Sequence, residues 1–268
     1  MSTASDTQSE QHGHQHRDVS GGWLRPAVFG AMDGLVTNVS LIAGVGGGGG
    51  SSQFIVLTGL AGLAAGAFSM ATGEFVSVSS QNELIGAEVR KEAHELKHNP
   101  ESEQEELAET FRARGVDPEL AAEVARQLSV QPDHALAVHV REELGVDPEE
   151  LPSPYTAAGA SLVTFAVGAL IPLIPYLAGV DVLGVALGLA AVAAVAGGGM
   201  VARLTARPFW RGALRQLVLG ACAVGITYLI GTLVVRVTGQ SLPTHGAGPP
   251  GPSRPCQLAW VPQSDPAR

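Results

Sequence analysis

Asp33 and Glu74 each interrupt a long apolar run. An ionisable residue inside a membrane span costs roughly 2.5–3.5 kcal/mol even on the most lenient insertion scale, so it marks by default a site facing protein or a water-filled path. Met70 lies four residues before Glu74, and a helix therefore stacks the thioether on the same face as the carboxylate. Such a carboxylate is neutralised either by a proton or by a cation, and the two then compete for the same oxygens. Asn38 in the first apolar run, with Ser69, Thr72 and Ser77 in the second, could complete an oxygen-rich coordination sphere, although each alone reads as a helix-contact residue. The competing reading of Asp33 and Glu74 is a carboxylate pair held by interhelical hydrogen bonds. The expense of placing acids there favours metal and proton chemistry.

A second set of acids lies outside the apolar runs. Glu88, Glu92 and Glu95 fall at i, i+4 and i+7, Glu103 and Glu106 at i and i+3, and His139 and Glu143 at i and i+4, so helices would put each group on one stripe. Like charges stacked this way repel unless a cation neutralises them. One such pair is best read as a solvated face, whereas three on consecutive short helices favour metal sites. His94-Glu95-Leu96-Lys97-His98 also matches HExxH, in which two histidines bind zinc and the glutamate activates water. Against a peptidase, Lys97 is charged where a buried catalytic helix needs an uncharged residue, Asn99-Pro100 ends the helix at once, and no third ligand is singled out. Glu95 and His98 form a single ExxH where a ferritin-like di-iron site needs two. His12, His14 and His16 alternate in a polar tail, which reads as solvated chain without fixed ligand geometry.

The elements that must position these residues follow from composition. The 268 residues are 46% hydrophobic and 15% charged, with 34 glycines, which is too apolar and glycine-rich for an ordinary soluble domain. The formal charge of −9 is segregated: residues 83–150 hold 18 of the 25 acids but 7 of the 16 bases. That block argues for cations as partners and against nucleic acid. Cys222 lies in an apolar run and Cys256 in the tail, so no disulfide framework or cysteine site is expected, and the polar first residues do not form a cleavable signal. The expected fold class is an all-α polytopic membrane protein with five transmembrane helices and a cytoplasmic helical metal-binding domain between helices 2 and 3. A disordered His-containing tail covers 1–21, spans one and two 22–82, the acidic domain 83–151, spans three to five 152–237, and a disordered Pro/Gly-rich tail 238–268.

Within that plan the second span, from about 54 to 77, continues as one polar helix to His98, with Gly59, Gly62 and Gly66 offering faces for close helix contact. Pro172 and Pro175 break the third span. The doubled GVDPE at 115–119 and 145–149 reads as two helix starts, with Asp117 and Asp147 as caps before a first-turn proline. Arg17 and Arg25, then Arg90 and Lys91, then Arg203, Arg207, Arg211 and Arg215 fall on one side of a five-span chain. By the positive-inside rule that side, with the N-terminus and the acidic domain, is cytoplasmic, and the C-terminal tail is outside.

DGLVTNVSLIAGVGGG at 33–48, SMATGEFVSVSSQ at 69–81 and REELG at 141–145 together resemble the vacuolar iron transporter family over about residues 22–237. The resemblance implies a five-span dimer that exchanges Fe²⁺, and in some members Mn²⁺, for protons. It implies that Asp33, Met70 and Glu74 line the translocation path, and that Glu92, Glu95, Glu103, Glu106 and Glu143 belong to the cytoplasmic metal-binding domain. The chain departs from the family pattern just before REELG, where His139-Val140 stand in place of a frequent methionine pair; an imidazole still binds iron, manganese or zinc.

The expectation is therefore a proton-coupled exporter of Fe²⁺ or Mn²⁺, without enzymatic activity or prosthetic group, that serves iron and manganese homeostasis and detoxification. Its transport path would be Asp33, Met70, Glu74 and Asn38, and its metal set Glu88, Glu92, Glu95, Glu103, Glu106, His139 and Glu143. Fe²⁺, Mn²⁺ or Zn²⁺ is the expected bound ion, and the expected partners are protons, lipid and a second copy of the chain. Two lysines against fourteen arginines lean toward a bacterial plasma membrane. The alternatives are a membrane-anchored zinc peptidase using His94, Glu95 and His98, or a non-transporting metal buffer or sensor; neither needs acids in lipid-embedded helices.

Overall fold

The computed structural model describes residues 22–147 and 150–239, so both tails lie outside the described residues. Among the described residues the architecture is all-helical: α1 (Leu24–Gly47), α2 (Ser52–His98), α3 (Pro100–Ala113), α4 (Pro118–Leu128), α5 (Pro132–His139), α6 (Pro154–Leu170), α7 (Ile174–Leu177), α8 (Leu183–Leu204) and α9 (Phe209–Thr238). Five helical stretches are long and apolar enough to cross a membrane: α1, the first part of α2, α6 with α7, α8 and α9. Their outward faces carry Leu57, Phe68, Val192, Leu229 and Val237 exposed, which suits lipid as the surrounding solvent.

α2 is a single helix of 47 residues, about 70 Å long at 1.5 Å per residue, or more than twice the hydrocarbon thickness. It opens on Ser51, whose hydroxyl accepts from the Phe54 amide at 3.3 Å, and it runs without a break into the acidic segment. Proline shapes the third span as expected. α6 stops at Leu170, a 3₁₀ turn covers Ile171–Leu173, and α7 completes the crossing before Gly179, at φ +81°, turns the chain.

α1 is the centre of the bundle, packed against α2, α6, α8 and α9. Lipid tails are as apolar as leucine, so helix association in a bilayer depends on close backbone approach. Gly34 of α1 lies against the Phe165 carbonyl and Gly168 of α6 against the Ala31 carbonyl, where any Cβ would overlap backbone. Asn38 crosses the same interface, its Nδ2 donating to the Ala169 carbonyl at 2.5 Å. Gly198 and Gly212 interlock α8 and α9 in the same manner. The glycines of α2 act differently: Gly59, Gly62 and Gly66 are sockets for the side chains of Leu173, Leu41 and Phe165.

Of the doubled GVDPE, the first copy starts a helix, whereas residues 148–149 of the second lie outside the described residues. Asp117 caps α4, accepting from the amides of Glu119 at 3.0 Å and Leu120 at 3.4 Å. Asp147 pairs with Arg141, and among the described residues the next helix begins at Pro154, capped by Ser153. Pro152 and Pro154 disfavour helical geometry in the residues before them, Leu151 and Ser153, so α6 starts no earlier.

Gly168→Ala should destabilise the bundle by about 1–3 kcal/mol, the usual cost of overpacking against atoms that cannot yield. Gly159→Ala, in the same helix with nothing within 4 Å of its added carbon, should leave the melting temperature unchanged or slightly higher. Equal melting of the two variants in detergent would remove the close crossing as the source of stability.

Candidate metal centre

Where α2 leaves the apolar bundle it is pinned to the start of α6. Phe75 meets Tyr155 edge-on with ring centroids 5.2 Å apart, and Asn82 Nδ2 donates to the Pro152 carbonyl at 3.0 Å. Beyond this point α3 and α5 fold back on the polar half of α2, with α4 packed on α3 and α5. Their small core is Leu107, Ala108 and Ala125, with Phe111, Leu128 and Val138 around it. Burying Leu107 contributes about 1.5–3 kcal/mol, and it fixes α3 so that Glu103, one turn earlier, points inward.

α5 passes at His139 into a π-helical turn, Val140–Leu144, which Gly145 ends at φ +66°. Such widened turns are rare and concentrate at functional sites. Val140 is fully buried, anchoring the turn. Glu142 pairs with Arg114 at the end of α3, and its neighbour Glu143 is left to face His139.

Four side chains from three segments converge here. His139 is completely buried, and its Nδ1 lies 3.0 Å from Glu143 Oε1, 3.1 Å from Glu92 Oε1 and 3.9 Å from Glu103 Oε2. One ligand atom from each of the four falls within 4.8 Å of all the others. Nδ1 carries at most one hydrogen, and the aligned contact is the one with Glu143. Glu92 Oε1 is therefore buried without a hydrogen bond despite its short distance to the ring. An orphaned carboxylate oxygen beside two more carboxylates is a place short of positive charge. Three oxygen donors and one imidazole nitrogen suit Fe²⁺, Mn²⁺ or Zn²⁺.

The electrostatics agree. Burial raises the Glu92 pKa above the ordinary carboxylate range, with the Glu143 charge adding to it, while His139 pulls the other way. Glu103 is raised by burial first and by the Glu92 charge second. A protonated Glu103 can donate to Glu92, and a divalent ion binding both carboxylates competes with that proton.

The remaining sequence-predicted residues separate into two groups. Glu106 is exposed, and its charge still raises both Glu92 and Glu103. Glu95 turns away to accept from Asn99 Nδ2 at 2.7 Å, and Glu88 stays outside the converging set. His94 and His98 stack on each other on an exposed face with centroids 3.9 Å apart, and they take no part in the cluster. In the apolar bundle Asp33 Oδ1 accepts from Thr37 at 3.1 Å and opens onto a cleft between α1, α8 and α9. Met70 packs beside Ala67 and Phe165. Among the described residues no hydrogen bond or ion pair joins Asp33 to Glu74. Asn38 is buried, its Oδ1 without a partner. Sequence reading missed Arg114 and Asn82, whose partners lie 28 and 70 residues away; no local pattern announces either.

Five apolar helices carrying a helical outgrowth with a buried carboxylate–imidazole cluster define a polytopic membrane protein equipped to bind divalent metal. The chain belongs to the VIT family, whose sequence model matches residues 24–232. It is 39% identical over 235 residues to the "Vacuolar iron transporter" of Acanthamoeba castellanii, covering 82% of this chain and 83% of that protein. It is also 36% identical to "Vacuolar iron transporter homolog 1" of Oryza sativa subsp. japonica, over 77% of this chain and 71% of that one. With "Vacuolar iron transporter 1" of Arabidopsis thaliana it shares 30% identity over 63% of this chain and 67% of the relative. The chain is thus an integral membrane metal transporter and not an enzyme, which removes the peptidase reading of HELKH.

Because both pKa values are raised, the folded metal-free site holds protons more tightly than the unfolded chain. Its contribution to stability is fully present below the ordinary value of 4.5 and is lost as pH rises through the raised values. Glu103→Gln should therefore raise the metal-free melting temperature at pH 7.5 and flatten its dependence on pH. The same variant should lose most of the stabilisation by Mn²⁺. In the wild type that stabilisation is roughly 2.7 kcal/mol at a hundredfold excess over Kd, or about 5–10 °C for a chain of this size. A lower metal-free melting temperature in the variant at pH 7.5 would show that Glu103 is held for structure rather than for metal.

Proposed function

We propose that the protein exports Fe²⁺, with Mn²⁺ as a second cargo, from the cytoplasm in exchange for protons. The observation that carries this reading is the convergence of Glu92, Glu103, His139 and Glu143 on a helix continuous with a membrane span. It gives a metal transporter a collecting site joined directly to its bundle. The names of its relatives point to iron, and a set of three carboxylates and one imidazole accepts Fe²⁺ and Mn²⁺ alike.

In this reading residues 83–151 form a cytoplasmic module that collects the ion, with Glu95, Glu106 and Glu88 supplying negative charge around the ligands. Asp33, Met70 and Glu74, with the unpartnered Asn38 Oδ1, line the path. Each acid alternately holds a proton and the ion, which couples the two flows. Two copies assemble in the membrane. In this reading the N-terminus and the module are cytoplasmic and the C-terminal tail is outside, an orientation the arginine-rich ends of the spans support. The membrane is a bacterial plasma membrane, as the arginine-over-lysine composition suggests. The relatives are named for the vacuole; export across a plasma membrane and loading of a vacuole both carry the ion out of the cytoplasm.

Uptake of Fe²⁺ or Mn²⁺ into sealed proteoliposomes, with a pH dye inside, tests the reading. Asp33→Asn and Glu74→Gln should each lower metal-coupled proton movement at least tenfold while leaving the protein folded. Wild-type rates in either variant would sink the path. His94→Ala with His98→Ala should leave transport intact. Met70→Leu, which keeps volume and loses sulfur, should slow Fe²⁺ more than a hard ion such as Mg²⁺.

A further inference from the structure

His94 and His98, at the end of α2, are metal-ligating side chains that the carboxylate cluster does not use. Two residues along an α-helix turn roughly 200° about its axis, so His94 faces away from Glu92 and the cluster. Four residues return to the same face, which puts His98 beside His94. Both are exposed, and their rings stack with centroids 3.9 Å apart and planes inclined by 29°. His98 Nδ1 lies 2.8 Å from the His94 carbonyl oxygen. A carbonyl only accepts, so Nδ1 carries the hydrogen and Nε2 keeps its lone pair. Donation of one ring N–H to a backbone carbonyl is the arrangement that orients a metal-bound imidazole.

Capping of the helix end accounts for His98 alone, since a histidine in the last turn can donate to a late carbonyl. It leaves His94 unexplained, because the His94 ring makes no hydrogen bond or ion pair among the described residues. A tetrahedral ion about 2.0–2.1 Å from each of two nitrogens holds them about 3.4 Å apart, close to the spacing of the stacked rings. Among the described residues no third His, Cys, Asp or Glu joins the pair. Glu95, the carboxylate between the two in sequence, is engaged by Asn99 Nδ2 at 2.7 Å. The remaining coordination positions therefore fall to water.

We propose that His94 and His98 form a second metal site, open to solvent, that clasps a Cu²⁺, Zn²⁺ or Ni²⁺ ion across the last turn of α2. Its two nitrogens set it apart from the cluster, which has one imidazole among three carboxylates. Imidazole nitrogens favour these ions over Mn²⁺, which carboxylate oxygens suit better. One helix thus presents two metal sites of different chemistry on opposite faces. The outer site stands independently of transport, and with Glu95 held aside it carries no peptidase chemistry.

The full-length protein in detergent, carrying His12→Asn, His14→Asn and His16→Asn so that the tail offers no imidazole, is titrated with Cu²⁺. Copper per chain is counted by native mass spectrometry, and its ligands are read by electron paramagnetic resonance. A bis-imidazole copper signal is expected, which the single imidazole of the cluster cannot give. His94→Ala with His98→Ala should remove that signal and lower the count by one copper, and His98→Ala alone should weaken this copper at least tenfold. Stabilisation by Mn²⁺ should be equal in parent and double variant, showing that both are folded with the cluster intact. No bis-imidazole signal in the parent, or an undiminished signal and count in the double variant, would overturn the proposal. So would loss of the Mn²⁺ stabilisation in the double variant, since the histidines would then serve the cluster rather than a site of their own.

Discussion

The imidazole of His139 sits fully buried with three carboxylates around one nitrogen, and it can satisfy only one of them with its proton. That shortage of positive charge governs the helical module. The widened turn after α5, the pairing of Arg114 with Glu142 and the seating of α3 on Leu107 all serve to hold oxygens that would otherwise separate. Packing supplies the force that repulsion opposes, and a divalent ion removes the opposition.

The bundle below obeys a different constraint. With no hydrophobic gain from helix against helix, contact depends on backbone approaching backbone. Gly34 and Gly168 meet the α1–α6 crossing, and Gly198 with Gly212 meets the α8–α9 crossing. Asn38 adds a buried hydrogen bond to the first of these. Its amide oxygen stays unpartnered beside α2, so one residue fastens two helices and leaves a polar atom in the interior.

Much of this was legible in the sequence because the signals are local. Five apolar runs, the unbroken helix to His98, the proline break of the third span and the cap at Asp117 each depend on residues within a turn or two of one another. The stripes containing Glu92, Glu103, and His139 with Glu143 were visible for the same reason. The stripes could not show which member of each faced inward. Glu92 and Glu95 share a stripe, yet Asn99 draws Glu95 aside while the α5 turn reaches Glu92. HELKH fails on the same ground, since its histidines stack on an exposed face where no third ligand arrives.

The length of α2 has a consequence in rotation. Glu74 and Glu92 are 18 residues apart on one unbroken helix, which is about five full turns, or roughly 27 Å. Whole turns restore the starting azimuth, so the two carboxylates point in the same compass direction from the helix axis, one within the apolar bundle and one in the cluster. A rigid rod has no slack between its ends. Any roll of α2 that draws Glu92 toward or away from His139 swings Glu74 through the same angle, making the two carboxylates the ends of a single crankshaft.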